Sequence, residues 1–368
     1  MAPQVETNKN VTKRQKSKTA KLASALKEKQ NILGVEFAPI DIPLERRLQT
    51  LSVLTWILLF FVSGPLSIPI LIYLFFYTRL WIFVIAYLTW VYLDRETCER
   101  GGRRIDWVRK WRMWYHYRNY FPIKLVKTCE LDPKRNYLFC SHPHGILSSG
   151  MFSSFMTEAG EVTKVFPGLT IHGITLRLNF MIPLFREWCL ALGLCSARKE
   201  SMSYLLSHPD GGKGVVLVPG GAPEALESHP GSYVIQLKRR KGFIKLALQN
   251  GSSLVPVFSF GETEIYRQAI DNPEGSFVRK IQDKLTSLLT FAPVLFFGRG
   301  IFQYSFGILP QRRPIFVAVG APIHLEKIEK PTQEDIDNLH EKYMKALSDL
   351  FYAHRDEFAD PSHEFKIV

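Results

Sequence analysis

The chain lacks most of the short signatures that assign a chemistry at sight. Its five cysteines, Cys98, Cys129, Cys140, Cys189 and Cys195, are odd in number and form no CxxC pair. That excludes a disulfide framework and a cysteine zinc site, and fits reduced thiols facing the cytosol. There is no Gly-x-Ser-x-Gly elbow, so a lipase-like serine nucleophile has no support. The run Gly211-Gly212-Lys213-Gly214 lacks the spacing of a phosphate-binding loop. No nucleic-acid-binding module is recognisable, and the basic stretches carry no interleaved aromatics. There is no internal repeat. No cleavable signal peptide is expected ahead of so polar and basic an N-terminus.

Acidic residues are also in short supply. Asp and Glu number 34 against 47 Lys and Arg, which gives a net charge of +13 over 368 residues. Such a balance suits anionic partners: an acidic membrane surface, a phosphorylated ligand or nucleic acid. The apolar fraction, 46%, is ordinary and allows one large core or two modest ones. The Lys-rich first 35 residues read as a mobile basic tail. Residues 1–47 are therefore expected to be a largely disordered cytosolic segment.

The chain is rich in one uncharged apolar region. Residues 48–78 carry no charge, and after Arg79 the run resumes to Leu93. One membrane-spanning helix needs about 20 residues, so there is enough for two. Ser63-Gly64-Pro65 and Pro69 mark the expected turn, and Trp56, Trp81 and Trp90 suit interfacial anchoring. Arg79 at mid-bilayer would cost about 2.5–3.5 kcal/mol. A shallow re-entrant hairpin avoids part of that, so residues 48–93 are expected as a transmembrane or re-entrant helical hairpin. Arg46 and Arg47 precede it, and Arg95, Arg100, Arg103 and Arg104 follow it, so both flanks should be cytosolic.

From residue 94 onward a single cytosolic domain is expected. Strand-length apolar runs fall at 136–141, 169–175, 214–219, 253–260 and 314–320, with helical patterns at 145–157, 241–250 and 333–353. The alternation predicts an α/β fold: a mixed, mostly parallel sheet covered by helices. A second apolar stretch, 285–310, is broken by Pro293, Gly298 and Arg299. It reads either as core or as a membrane-dipping lip.

Two turns carry the candidate chemistry. In "NYLFCSHPHGILSSG" (136–150) a buried strand ends in His142, Pro143, His144 and Gly145. Pro143 holds His142 extended and Gly145 permits a sharp turn into a helix from about Ile146. This is the carboxyl edge of a sheet, where open α/β folds place ligands. A helix N-terminus there disfavours imidazolium and leaves a neutral base. Two structural histidines bonded to backbone would give the same pattern. A metal reading of His-x-His finds no third ligand at diagnostic spacing, and no metal is expected. In "GKGVVLVPGGAPEAL" (212–226) another strand ends at Gly220-Gly221, with Glu224 opening a helix. The glycines admit close approach to backbone N–H donors, and Glu224 projects from the same edge as the histidines. An ordinary tight turn would look alike.

In order along residues 45–360 the chain holds "YFP" (120–122), "HPHG" (142–145), "PLFRE" (183–187), "VPGGAPEAL" (218–226), "RKGFIKLAL" (240–248) and "VPVFSFGE" (255–262). With the apolar hairpin ahead of it, this ordered set resembles the type 2 diacylglycerol acyltransferase family, which includes monoacylglycerol and wax-alcohol acyltransferases. The resemblance implies acyl transfer from acyl-CoA to the hydroxyl of diacylglycerol at the endoplasmic reticulum membrane, with lipid droplets a second location. A monoacylglycerol or fatty-alcohol acceptor is the near alternative. A non-catalytic lipid-binding membrane protein is the distant one. The wider glycerolipid acyltransferases use His-x4-Asp, but here the fifth residue after His142 is Leu147 and after His144 is Ser149. A carboxylate partner must come from elsewhere, and Glu224 is the candidate. The arginine of the "EGTRS" block in phosphate-acceptor relatives is missing from "GGAPEA", which suits an uncharged acceptor unless Arg186 replaces it in space.

The chemistry then expected is general-base catalysis. His144 is the favoured base, with His142 orienting or bonding the acceptor, although the sequence does not separate the two roles. N–H groups near Gly145, Gly220 and Gly221 face the oxyanion. Pro183 belongs to the substrate site, and Arg186, Arg198, Lys199, Arg239, Arg240 and Lys241 are candidates for the CoA phosphates. Acyl-CoA is a co-substrate and no resident cofactor is expected. The partners are acyl-CoA, a neutral lipid and membrane lipids, not nucleic acid. A homo-oligomer is left open.

Overall fold

A computed structural model describes residues 30–39, 41–289 and 291–368. Most of the segment read as a basic tail lies outside the described residues. Within it, residues 30–37 form a small antiparallel hairpin, and helix begins at Leu44.

The centre of the molecule is a seven-stranded sheet. Its strands in chain order are β1 (Lys124–Lys127), β2 (Tyr137–His142), β3 (Thr170–Thr175), β4 (Leu194–Ser196), β5 (Lys213–Leu217), β6 (Ser253–Phe260) and β7 (Phe316–Val319). Their spatial order is β1-β7-β6-β2-β5-β3-β4. The five strands β2 to β6 are mutually parallel, while β7 runs antiparallel to β6 and pairs parallel with β1. The expected mixed, mostly parallel sheet is present. The short edge strands β1 and β4 carry too few apolar residues to stand out in the sequence.

Helices cover both faces. Among them are α1 (Leu44–Phe61), α2 (Ser63–Tyr77), α3 (Trp81–Leu93), α4 (Arg112–Tyr120), α5 (Ala222–Ala225), α6 (Gly242–Asn250), α7 (Phe277–Leu289) and α8 (Gln333–Phe358). Side chains alternate across each strand. Tyr137 and Phe139 of β2 join Val53 and Trp56 of α1 and Trp114 and Tyr117 of α4 in one core. Leu138 and Cys140 join Ile244 of α6 and Tyr343, Leu347 and Phe351 of α8 in the other. By the same parity His142 faces α8. Helix α8 starts at a capping box in which Thr332 and Asp335 satisfy each other's backbone N–H, a device worth about 1 kcal/mol.

The apolar region is three helices. At Ser63-Gly64-Pro65 the chain bends by 62° between α1 and α2 instead of reversing. The connection between α2 and α3 comes later, at residues 78–80, and puts Arg79 there. Ser63 and Gly64 keep helical backbone, and Pro65 falls in the first turn of α2, where its missing N–H costs no hydrogen bond. Among the described residues no single helix is long and apolar enough to cross a membrane; α1 and α2 meet that measure only as a bent pair. Helix α1 is docked on the domain through Val53, Trp56 and Ile57, whereas α2 and α3 leave most of their large apolar side chains exposed.

A candidate active site at the carboxyl edge of the sheet

The register of the three central strands assembles the site. Cys140 of β2 pairs with Leu217 of β5 and with Pro256 of β6, and His142 pairs with Phe258. The loops following β2, β5 and β6 therefore leave the sheet side by side. They carry His144, Glu224 and Glu262.

His142 is fully buried. Its Nε2 lies 3.1 Å from the Tyr343 hydroxyl, which donates to the Cys140 carbonyl at 3.3 Å. With the phenol proton so placed, His142 Nε2–H is the donor to Tyr343. His142 Nδ1 lies 3.9 Å from Glu224 Oε1 and makes no hydrogen bond. The His142–Pro143 peptide is cis. Glu224 is itself buried and also accepts from the His144 backbone N–H at 3.4 Å, so one carboxylate spans both histidine residues. Its other oxygen folds back onto Gly220. A Cβ there would lie 1.3 Å from Glu224 Oε2, which only glycine tolerates.

His144 is half-buried and held differently. Its Nδ1 lies 2.9 Å from the Gly145 carbonyl oxygen, to which it must donate. A neutral ring so tied keeps its lone pair on Nε2. That is the requirement for a general base. The Gly145 and Gly220 N–H groups donate to no partner among the described residues, whereas that of Gly221 is used by the Val218 carbonyl.

Sequence reasoning missed Glu262. It follows β6, is fully buried, and its two oxygens accept from the backbone N–H groups of Ser149 and Gly150 at 2.7 Å each. Burial pushes this carboxyl up to about 7, against the pull of those two N–H donors. Helix after the histidine turn begins at Ser149, not near Ile146, and continues as a π-turn over Phe152–Met156. Gly145 and Ser148 both have left-handed backbone, which holds the chain out of helix until then. The N–H groups expected to bias the imidazole toward neutrality are thus occupied by Glu262. Tyr343 was missed too, because nothing local marks a tyrosine in mid-helix as a partner for a residue some 200 positions away. Glu262 did have a signal, as the terminal acid of "VPVFSFGE".

The basic candidates separate. Arg240 lines a cleft of 510 Å³ together with Gly220 and Gly221. Lys241 is tied to Asp337 at 2.6 Å. Arg198, Lys199 and Arg239 are exposed. Arg186 is buried and bound to Asp94 and Glu187 at 2.6 Å each. Asp94 caps α3, and the neighbouring Leu184 N–H donates to the Tyr87 hydroxyl of α3 at 2.7 Å. Pro183 and Arg186 thus lie in the seam that fastens α3 to the domain, and the structure does not bring them to the histidines.

The sequence pattern described as Diacylglycerol acyltransferase matches residues 73–367. The chain belongs to the diacylglycerol acyltransferase family. It is 47% identical over 336 residues to 2-acylglycerol O-acyltransferase 1 of Homo sapiens, covering 91% of this chain and 100% of that protein. It is 46% identical over 321 residues to Diacylglycerol O-acyltransferase 2 of Homo sapiens, covering 87% and 82% respectively. Among solved structures, a 1-acyl-sn-glycerophosphate acyltransferase from Thermotoga maritima aligns over 83% of this chain and 97% of its own, with 12% identity and a TM-score of 0.38. Within this diacylglycerol acyltransferase family member, the family motifs do two jobs. "HPHG" and "VPGGAPEAL" form the polar centre, with the last residue of "VPVFSFGE" bracing it. "PLFRE" joins the centre's domain to the apolar helices.

Proposed function

We propose that this chain transfers the acyl group of acyl-CoA to the hydroxyl of diacylglycerol, giving triacylglycerol and CoA. His144 Nε2 takes the hydroxyl proton as the oxygen attacks the thioester carbonyl. The new C–O bond forms, the C–S bond breaks, and the proton passes to the departing thiolate. The observation that carries this reading is the bond from His144 Nδ1 to the Gly145 carbonyl, which leaves Nε2 as the acceptor. Glu224 holds the turn through the His144 N–H, and His142, buried and locked on Tyr343, positions that turn without touching the acceptor. The Gly145 and Gly220 N–H groups meet the oxyanion. Arg240, at the rim of the adjoining cleft, meets a CoA phosphate.

The membrane part of the proposal is a re-entrant hairpin. Helices α2 and α3 have 15 and 13 residues. At 1.5 Å per residue they reach about 20 Å, short of a hydrocarbon core of about 30 Å. They dip into the endoplasmic reticulum membrane and return, with Arg79 at the far end and both termini cytosolic. The exposed side chains of Leu288, Phe291, Leu295 and Phe302 supply a second contact.

A second acceptor, 2-acylglycerol, is favoured by the full-length match to a protein named for that substrate. Purified protein given labelled acyl-CoA with 1,2-diacylglycerol, 2-acylglycerol and a fatty alcohol separates the readings. The fastest acylation of diacylglycerol supports the first, and no transfer to any alcohol sinks the enzymatic reading.

A further inference from the structure

Away from the histidines, beside the N-terminal end of α1, four arginines converge on a pocket of 290 Å³: Arg46, Arg299, Arg312 and Arg313. Glu36, Pro39, Tyr304 and Gln311 complete its lining. Among the described residues none of the four guanidinium groups lies within ion-pair distance of a carboxylate, although the three buried arginines elsewhere each have one. Arg109 lies near Glu158, Arg186 near Asp94, and Arg279 near Glu227.

Two of the four are fixed in place. Arg312 donates to Gln49 Oε1 at 2.6 Å, to the Arg46 carbonyl at 3.0 Å and to Thr50 Oγ1 at 3.0 Å, and it stacks 4.0 Å over the Tyr120 ring. All these partners are neutral. Burial, with Arg299 and Arg46 nearby, brings its pKa down to about 10. Arg299 is only 7% exposed and lies 4.4 Å over the Tyr304 ring. Its Nε donates to the Gly300 carbonyl at 3.2 Å, and its two Nη atoms donate to no described residue. Guanidinium donors left open to a pocket, among like charges, offer an incoming anion charge-assisted hydrogen bonds. The surroundings indicate the anion's source. The loop that carries Arg299, closed by the bridge from Arg299 to Leu309, exposes Phe302 (77%), Phe306 (57%) and Ile308 (54%). An apolar lip stands over a basic pocket at the foot of a helix that leads to the membrane.

We propose that this pocket binds the phosphate of an anionic phospholipid headgroup, with the lipid's chains lying along the lip. Planar guanidinium donors match phosphate oxygens, and the lip distinguishes a lipid from a free phosphate. The site is separate from the acyl-transfer centre and does not rest on the catalytic reading.

The test uses purified full-length protein in uncharged detergent, with binding of short-chain dioctanoyl phosphatidylglycerol read by thermal shift. The variant is Arg46→Gln with Arg313→Gln. Both side chains are exposed, and the Arg312 bonds to Gln49 and Thr50 are untouched. The wild type should bind the lipid saturably, and the double variant at least about tenfold more weakly, as expected for loss of charge-assisted bonds. Dioctanoylglycerol, with the same chains and no phosphate, should show no difference between wild type and variant. Acylation at saturating substrates should be unchanged. Equal phosphatidylglycerol binding by wild type and variant overturns the site. CoA or inorganic phosphate binding there as tightly as the lipid overturns the lipid assignment.

Discussion

Replacing Gly145 with alanine tests how the histidine turn is held. Gly145 has φ +59°, and a Cβ there would stand 2.6 Å from Glu262 Cγ and 3.2 Å from its Oε1. Left-handed backbone costs an alanine about 1–2 kcal/mol. The larger loss is the carboxylate, which must move away from the Ser149 and Gly150 N–H groups. Each charge-assisted bond is worth about 1.5–3 kcal/mol, so losing both brings the total to about 4–8 kcal/mol. Gly221→Ala is the control. Its φ is also positive, +61°, with ψ −155°, a glycine-favouring backbone, but no atom lies within 4 Å of the added carbon. Strain alone should cost about 1–3 kcal/mol. Both variants are melted in detergent above the pH at which Glu262 ionises, and assayed for acyl transfer. Gly145→Ala should be clearly the less stable and should lose most of its turnover, because the displaced turn carries His144. Equal destabilisation, within roughly 0.5 kcal/mol, would refute the Glu262 clamp.

The raised carboxyl of Glu262 has a signed consequence. With an ordinary value of 4.5 and a folded value of about 7, the folded protein keeps a proton that the unfolded chain has released between those pH values. Its contribution to stability therefore falls as pH rises through that window, and Glu262→Gln should flatten this part of the melting-temperature profile. An unchanged slope would contradict the assignment. Arg186→Met and Arg240→Gln should behave oppositely. The first leaves Asp94 and Glu187 without their buried cation and should cost about 3–5 kcal/mol with little change in KM for acyl-CoA. The second should raise that KM about tenfold with little loss of stability. The sequons at Asn10 and Asn250 should stay unmodified on cytosolic segments, and an endoglycosidase-sensitive form carrying glycan on Asn250 would reverse the proposed orientation.

The central strands were legible because their apolar runs are long and end in glycine or proline, as at Tyr137–His142 and Ser253–Phe260. The pairing of the "HPHG" and "VPGGAPEAL" turns was legible because both sit at the ends of buried strands, a placement that adjacent parallel strands convert into proximity. Local composition misplaces the break in the apolar region because Pro65 resembles a breaker, whereas in the first turn of a helix it is tolerated. Arg186 resembles an anion-binding cation in sequence because its partner Asp94 is 92 residues away. Glu262 was hidden for the same reason. Its two donors lie 113 and 112 residues upstream, and no local spacing encodes them. Burial and long-range partners decide which charged residues are structural, and neither can be read from neighbouring positions.

The most direct test of the account is turnover by His144→Ala. The protein should be folded and membrane-associated, with acyl-CoA and diacylglycerol both saturating. If Nε2 of His144 takes the acceptor proton, turnover should fall about 100- to 10,000-fold, while His142→Ala, which removes a positioning bond to Tyr343, falls less. A folded His144→Ala protein that keeps near-normal turnover would contradict the account and leave His144 as no more than part of the turn's scaffold.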